Sequence, residues 1–199
     1  MASIESIPNK KGSDPRYPVH DLIIKRWSPR AFDPKDINEE ELNQLFEAMR
    51  WAPSSMNAQP WRILYAHKGE EGFDKLVESL AEGNKPWAKE APVLMLAMVK
   101  KDLPNGSPNG SARHDLGLAM GNLLVQATSM GIGLHQMGGF SKEKATSLFN
   151  IPDELAPNTV IALGYFGNPD QLPEKFKQRE LNPRSRNEVS DFAFHNALD

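Results

Sequence analysis

The sequence contains no cysteine, which excludes disulfides, thiol nucleophiles, CxxC redox pairs and cysteine metal sites together. It also lacks any apolar run long enough to span a membrane. Met1 to Pro18 is polar and proline-containing, without the apolar core of a signal peptide, so a cytoplasmic location is expected. Basic residues are dispersed, and the formal charge of −3 gives no electrostatic basis for binding nucleic acid or an anionic membrane. The histidines His20, His67, His114, His135 and His195 are too scattered to suggest a metal site. Gly131-Ile132-Gly133 is followed by Gln136 where a dinucleotide fingerprint needs a third glycine, and no Walker A or HExxH sequence is present. Ser141-Lys142-Glu143-Lys144 formally matches SxxK but reads as a helix cap, and no spacing supports a dyad of His135 with Ser54 or Ser55.

What is present fits one domain over residues 1–199, since this length allows a substantial core. Residues 1–18 read as a loose arm. Asn38 with Glu41 three positions on marks a helix start, and Leu42, Leu45, Phe46 and Met49 continue one apolar face until Pro53. Trp61–Ala66 reads as a strand, Gly72–Ala81 as a helix, and the apolar run Pro92–Val99 as a strand covered on both faces. Asp102–Gly110 is a loop. The longest helix is expected from Ala112 to Met130, with an apolar stripe wide enough for a central core helix or a dimer interface, and with Gly117-xxx-Gly121 permitting close approach. Gly131–Gly139 reads as a short apolar segment entering a glycine loop. Ser141 caps a helix through Phe149, and Thr159–Phe166 is a last strand. Gly167–Arg186 shows no clear period. With Phe192 and Phe194 beyond it, this tail is either disordered or laid across another surface. The mixed order of helices and strands points to α+β.

Four polar clusters stand out. Pro53-Ser54-Ser55-Met56-Asn57-Ala58-Gln59-Pro60-Trp61 places short hydroxyl and amide side chains between two prolines, making a stiff polar turn suited to the wall of a flat ligand site or simply to a turn. Arg26-Trp27-Ser28-Pro29-Arg30 and Arg184-Ser185-Arg186 each space two arginines to point the same way in an extended segment, and the planar guanidinium suits phosphate. In Gln136-Met137-Gly138-Gly139 the glycines let backbone approach a flat ring. Each cluster alone is also an ordinary solvated surface. Together they suit a phosphate-bearing ligand.

Arg26–Phe32, the helix running into Trp51–Trp61, Gly83–Ala88, Ala91-Pro92, the Gly131–Gly139 loop and the late Arg186 resemble the FMN-dependent nitroreductase family in order, over roughly residues 20–194. The resemblance implies an α+β fold whose central, mostly antiparallel sheet is flanked by helices. It implies an intertwined homodimer in which residues 167–199 form an arm extending onto the partner, with FMN sites at the subunit interface. By the same resemblance Arg26, Ser28 and Arg30, with Trp27 among them, hold the phosphate, ribityl chain and pyrimidine edge. Arg186, helped by Arg184, is a late phosphate contact. Pro53, Ser54, Ser55, Asn57 and Gln59 approach from the partner subunit, Asn84 meets the pyrimidine edge, and Gln136, Met137, Gly138 and Gly139 border the reactive N5 side. No protein nucleophile or base is then required. The implied activity is two-electron, ping-pong reduction of nitroaromatics, quinones or similar small acceptors by NAD(P)H. Relatives with the same flavin and a different reaction (dehalogenation, dehydrogenation, flavin fragmentation), or a non-catalytic flavin protein, are the alternatives. Two departures stand out: Asn187 follows Arg186 where relatives often carry Lys or Pro, and the Lys100–Ser111 loop lies where they vary.

Overall fold

The computed structural model describes residues 15–198, so most of the expected N-terminal arm lies outside the described residues. A short helix, α1 (Asp21–Lys25), precedes α2 (Glu39–Arg50). The capping box forms as expected: the Asn38 side chain accepts from the Glu41 N–H at 2.9 Å, and Glu41 accepts from the Asn38 N–H at 3.0 Å. Strand β1 (Trp61–His67) follows the polar turn, and α3 (Glu71–Ser79), α4 (Lys85–Ala88) and β2 (Val93–Lys100) come next. Helix α3 stops short of the expected Ala81, because the Ala81 N–H is given to the carbonyl of Gly139 at 3.0 Å.

After α5 (Ala112–Ser129) come β3 (Ile132–Met137), α6 (Lys142–Phe149), β4 (Leu155–Tyr165) and α7 (Glu174–Leu181). Two expectations are corrected here. Gly131–Gly139 is chiefly a strand, because six consecutive residues pair with β4 from Ile132↔Tyr165 to Met137↔Val160. The segment after Gly167 contains α7, whose buried side chains Phe176 and Glu180 stand one turn apart on a helix that is otherwise polar except for the exposed Leu181 at its end.

The four strands form one antiparallel sheet in the order β1-β2-β4-β3. β2 is central and buried along Val93–Val99, which explains its unbroken apolar run. On one face Val93, Met95, Ala97 and Val99 pack under α2 and α5. The alternate residues Leu94, Leu96 and Met98 pack on the other face with Phe73, Leu76, Trp87, Ala145 and Phe176. Helix α5 is thus the central core helix, but its Gly117 and Gly121 have open space where a Cβ would stand. Leu118 and Val125 on the same helix are exposed.

Candidate flavin site

The Arg26–Arg30 segment runs extended from the end of α1 and is braced at several points. The Arg26 carbonyl accepts from Arg184 Nη1 at 2.7 Å. Trp27 Nε1 donates to Glu180 Oε1 at 3.2 Å, and the Arg30 N–H donates to Glu180 Oε2 at 2.9 Å. The Pro29 carbonyl meets His135 Nδ1 at 2.8 Å. Glycine is required at position 133, where a Cβ would stand 2.5 Å from Pro29 Cγ and 2.8 Å from the Phe166 ring. Trp27 itself is buried and stacks on Phe166 at 4.2 Å between centroids, so its ring serves the core.

This bracing collects positive charge. Burial, and after it the charges of Arg186 and Arg184, hold the Arg26 guanidinium below its ordinary value. Burial and then Arg186 do the same to Arg184. Arginine stays charged regardless, so these shifts register first the removal of the guanidinium groups from water and second their crowding by one another. Arg26 Nη1 lies 3.5 Å from Ser28 Oγ, and Arg186 Nη1 donates to the Ser185 carbonyl. Arg184 Nε is buried with no hydrogen-bond partner among the described residues, an arrangement that costs free energy unless an acceptor arrives. Three guanidinium groups, with one buried donor unspent, fit a phosphate.

The same side of the molecule continues through α4. The Arg30 guanidinium lies 5.6 Å from the Trp87 ring centroid, and Trp87 packs on the His135 ring at 4.4 Å. Burial lowers the Arg30 value first, Glu180 raises it, and Arg179 lowers it again. Three residues before Trp87, Asn84 donates from Nδ2 to the Gly139 carbonyl at 3.0 Å, leaving its side-chain oxygen as the acceptor on offer. Gly138 is exposed, with open space where a Cβ would stand. Gln136 is an exposed strand residue, whereas Met137 is buried in the same cluster as Trp87.

The Pro53–Gln59 turn is strained. Met56, Asn57 and Gln59 all have positive φ, of 52°, 52° and 45°, at a cost of about 1 kcal/mol or more each for residues with a Cβ. It is held by Gln59 N–H to Ser54 Oγ at 3.0 Å, Gln59 Nε2 to Asn57 Oδ1 at 3.1 Å, and Ser55 N–H to the buried Asp115 at 3.1 Å. Pro53, Ser55, Met56 and Asn57 are exposed. This turn feeds β1, one edge of the sheet, while Arg26–Arg30 is braced on β3, the opposite edge. Three strand spacings of about 4.8 Å separate those edges by roughly 14 Å. One chain therefore brings Arg26, Ser28, Arg30, Asn84, Gly138, Gly139, Arg184 and Arg186 to one side, and holds the turn elsewhere.

Two residues absent from the sequence-based set matter to this geometry. Glu180 carries a signal in retrospect, since it stands four residues after Phe176 on the buried face of a polar helix. Asp115 likewise falls among the buried positions of α5.

The nitroreductase family model matches residues 23–86 and 73–165. A solved structure described as an oxidoreductase containing FMN is 36% identical, has a TM-score of 0.90, and is matched over 96% of this chain and 98% of its own. Iodotyrosine deiodinase of Thermotoga neapolitana is 29% identical over 82% of this chain and 95% of its own length. A protein of Methanothermobacter thermautotrophicus, provisionally named an NADH dehydrogenase/NAD(P)H nitroreductase, is 27% identical over 77% of this chain and 80% of its own. The chain belongs to the nitroreductase family, a family of oxidoreductases.

Proposed function

We propose that this chain is an FMN-dependent oxidoreductase that takes reducing equivalents from NAD(P)H and passes them to nitroaromatics, quinones or similar small acceptors by a two-electron ping-pong mechanism. The observation that carries the reading is the buried, unpartnered Nε of Arg184 beside Arg26 and Arg186. FMN, when bound, supplies hydride transfer at N5. The chain's own residues bind and orient it. Arg26, Arg184 and Arg186 hold the phosphate with the Ser28 hydroxyl beside them. Arg30 and the Asn84 side-chain oxygen serve the pyrimidine edge as donor and acceptor, and the Gly138-Gly139 backbone gives close approach to the reactive side.

The site is completed by a second copy of the chain. Its Pro53–Gln59 turn would supply the opposite wall, and this explains why one chain holds that turn away from the arginines. The open Gly117 and Gly121 positions, with exposed Leu118 and Val125, offer a helix face for association. Phe192 and Phe194, which are 67% and 49% exposed, offer the arm something to bury on the partner.

A second reading, reductive dehalogenation on the same flavin and fold, is favoured by the likeness to iodotyrosine deiodinase along nearly the whole of that protein. Steady-state rates with a nitroaromatic, a quinone and an iodotyrosine as acceptors, each with NADH and NADPH, separate the two. Parallel double-reciprocal lines with the first two acceptors support the reductase. Turnover of the iodotyrosine alone supports the second reading, and turnover of none contradicts both.

A further inference from the structure

We infer that Glu180 is the positioning residue of the phosphate site: its carboxylate, from α7, fixes the Arg26–Arg30 segment so that the guanidinium groups converge. The inference rests on the reading of this site as an FMN site.

Glu180 is 5% exposed, an expensive place for a carboxylate. Both of its oxygens are used, and both on one five-residue segment. Oε1 takes the Trp27 indole N–H and Oε2 takes the Arg30 backbone N–H. The indole is in turn clamped flat on Phe166. Four residues further along, Arg184 donates to the Arg26 carbonyl. The Glu180–Arg184 stretch therefore holds the segment at residues 26, 27 and 30 and presents Arg184 to the same ligand. The negative charge also lies beside Arg30, whose repulsion by Arg179 it counters.

A guanidinium cluster repels itself, so an unbraced segment would relax away from Arg184 and Arg186 until a phosphate arrived. Bracing it beforehand spares the ligand the cost of ordering it. A packing residue would not need two acceptors aimed at two donors of one strap. Glutamine at this position keeps one acceptor but turns an N–H group toward a donor, so one of the two bonds is lost while volume is conserved.

The test is binding of FMN and of riboflavin, which lacks the phosphate, to flavin-free wild-type protein and to Glu180→Gln, followed by flavin fluorescence. The expected result is that Glu180→Gln loses about tenfold or more in FMN affinity, the size of one lost charge-assisted bond, while riboflavin, which keeps the pyrimidine edge facing Arg30 but has no phosphate for the other guanidinium groups, loses severalfold less. Unchanged FMN affinity overturns the inference. So does an equal loss for both flavins, which would make Glu180 a general structural residue. Should Glu180→Gln fail to fold by near-UV circular dichroism, Trp27→Phe removes one donor and keeps the ring stack. It should show the same selective loss at smaller size, and equal loss or none overturns the inference. Failure of the wild type to bind FMN at all would instead overturn the flavin reading beneath it.

Discussion

The guanidinium of Arg184 donates 2.7 Å to the carbonyl of Arg26, joining residues 158 positions apart and leaving its own Nε buried and unspent. That bond ties the chain's late segment to its early one at the place where positive charge accumulates. It turns two short arginine motifs into one candidate anion site.

Arg26→Ala and Arg186→Ala should each weaken FMN binding. Each removes a charged contact worth about 1.5–3 kcal/mol, or roughly ten- to a hundredfold in Kd. Equilibrium dialysis of both variants checks this, and full flavin occupancy in both contradicts the assigned phosphate roles.

Gly133→Ala should destabilise the fold by about 1–3 kcal/mol, because the new methyl group would stand inside contact distance of Pro29 and Phe166. Urea denaturation measures the loss. The same variant should release flavin more readily, since Pro29 lies within the Arg26–Arg30 segment.

Met56 is 79% exposed yet sits at φ 52°. Its side chain contributes little, and its backbone conformation disfavours branching at Cβ. Met56→Val should therefore cost about 1–2 kcal/mol, where an exposed methionine in relaxed backbone would cost almost nothing. Met56→Gly should be neutral or stabilising by the same measurement.

His67 provides a pH-dependent clamp. Its Nδ1 lies 3.2 Å from Asp36 and its Nε2 3.3 Å from Glu39, so both ring nitrogens face carboxylates, and its backbone N–H is bonded to Glu70. Only the protonated ring donates from both nitrogens. Burial disfavours that charge, but the bonds and charges of Asp36, Glu39 and Glu70 outweigh it and raise the His67 pKa above its ordinary value. A raised folded-state value gives stability that is full below the unfolded pKa of about 6.5 and lost as pH rises through the folded one. His67→Asn should therefore lower Tm more at about pH 5.5 than at about pH 8.5. An equal loss at both contradicts the clamp.

Much of the fold was legible because local signals agreed with tertiary demand. The Asn38/Glu41 box, the unbroken apolar run of β2 and the Ser141 cap all form where the residues indicate. The start of β4 was hidden by Pro157, which is accommodated because the β2–β4 register shifts between Ala97 and Met98. Strand β3 was hidden by Gly133 and by the polar His135 and Gln136, residues suited to an edge that carries a site. Helix α7 buries few side chains, so no periodicity marks it.

The arginine pairs were visible as motifs, but only topology joins Arg184 to Arg26. The polar turn was visible too, yet its strain was not, since nothing local in Met56-Asn57 demands left-handed backbone at both residues. Glu180 shows why the rest escaped: a buried acid is recognisable only once its donors, Trp27 and Arg30, are known to face it.

The proposed function requires that this chain carry FMN reducible by NAD(P)H. A visible absorption spectrum of freshly purified protein, followed by anaerobic addition of NADH or NADPH, tests it most directly. Flavin bands at about 450 nm that bleach on mixing are expected. A colourless protein that cannot be reconstituted with FMN, or a yellow one that neither nucleotide reduces, would contradict the proposed function.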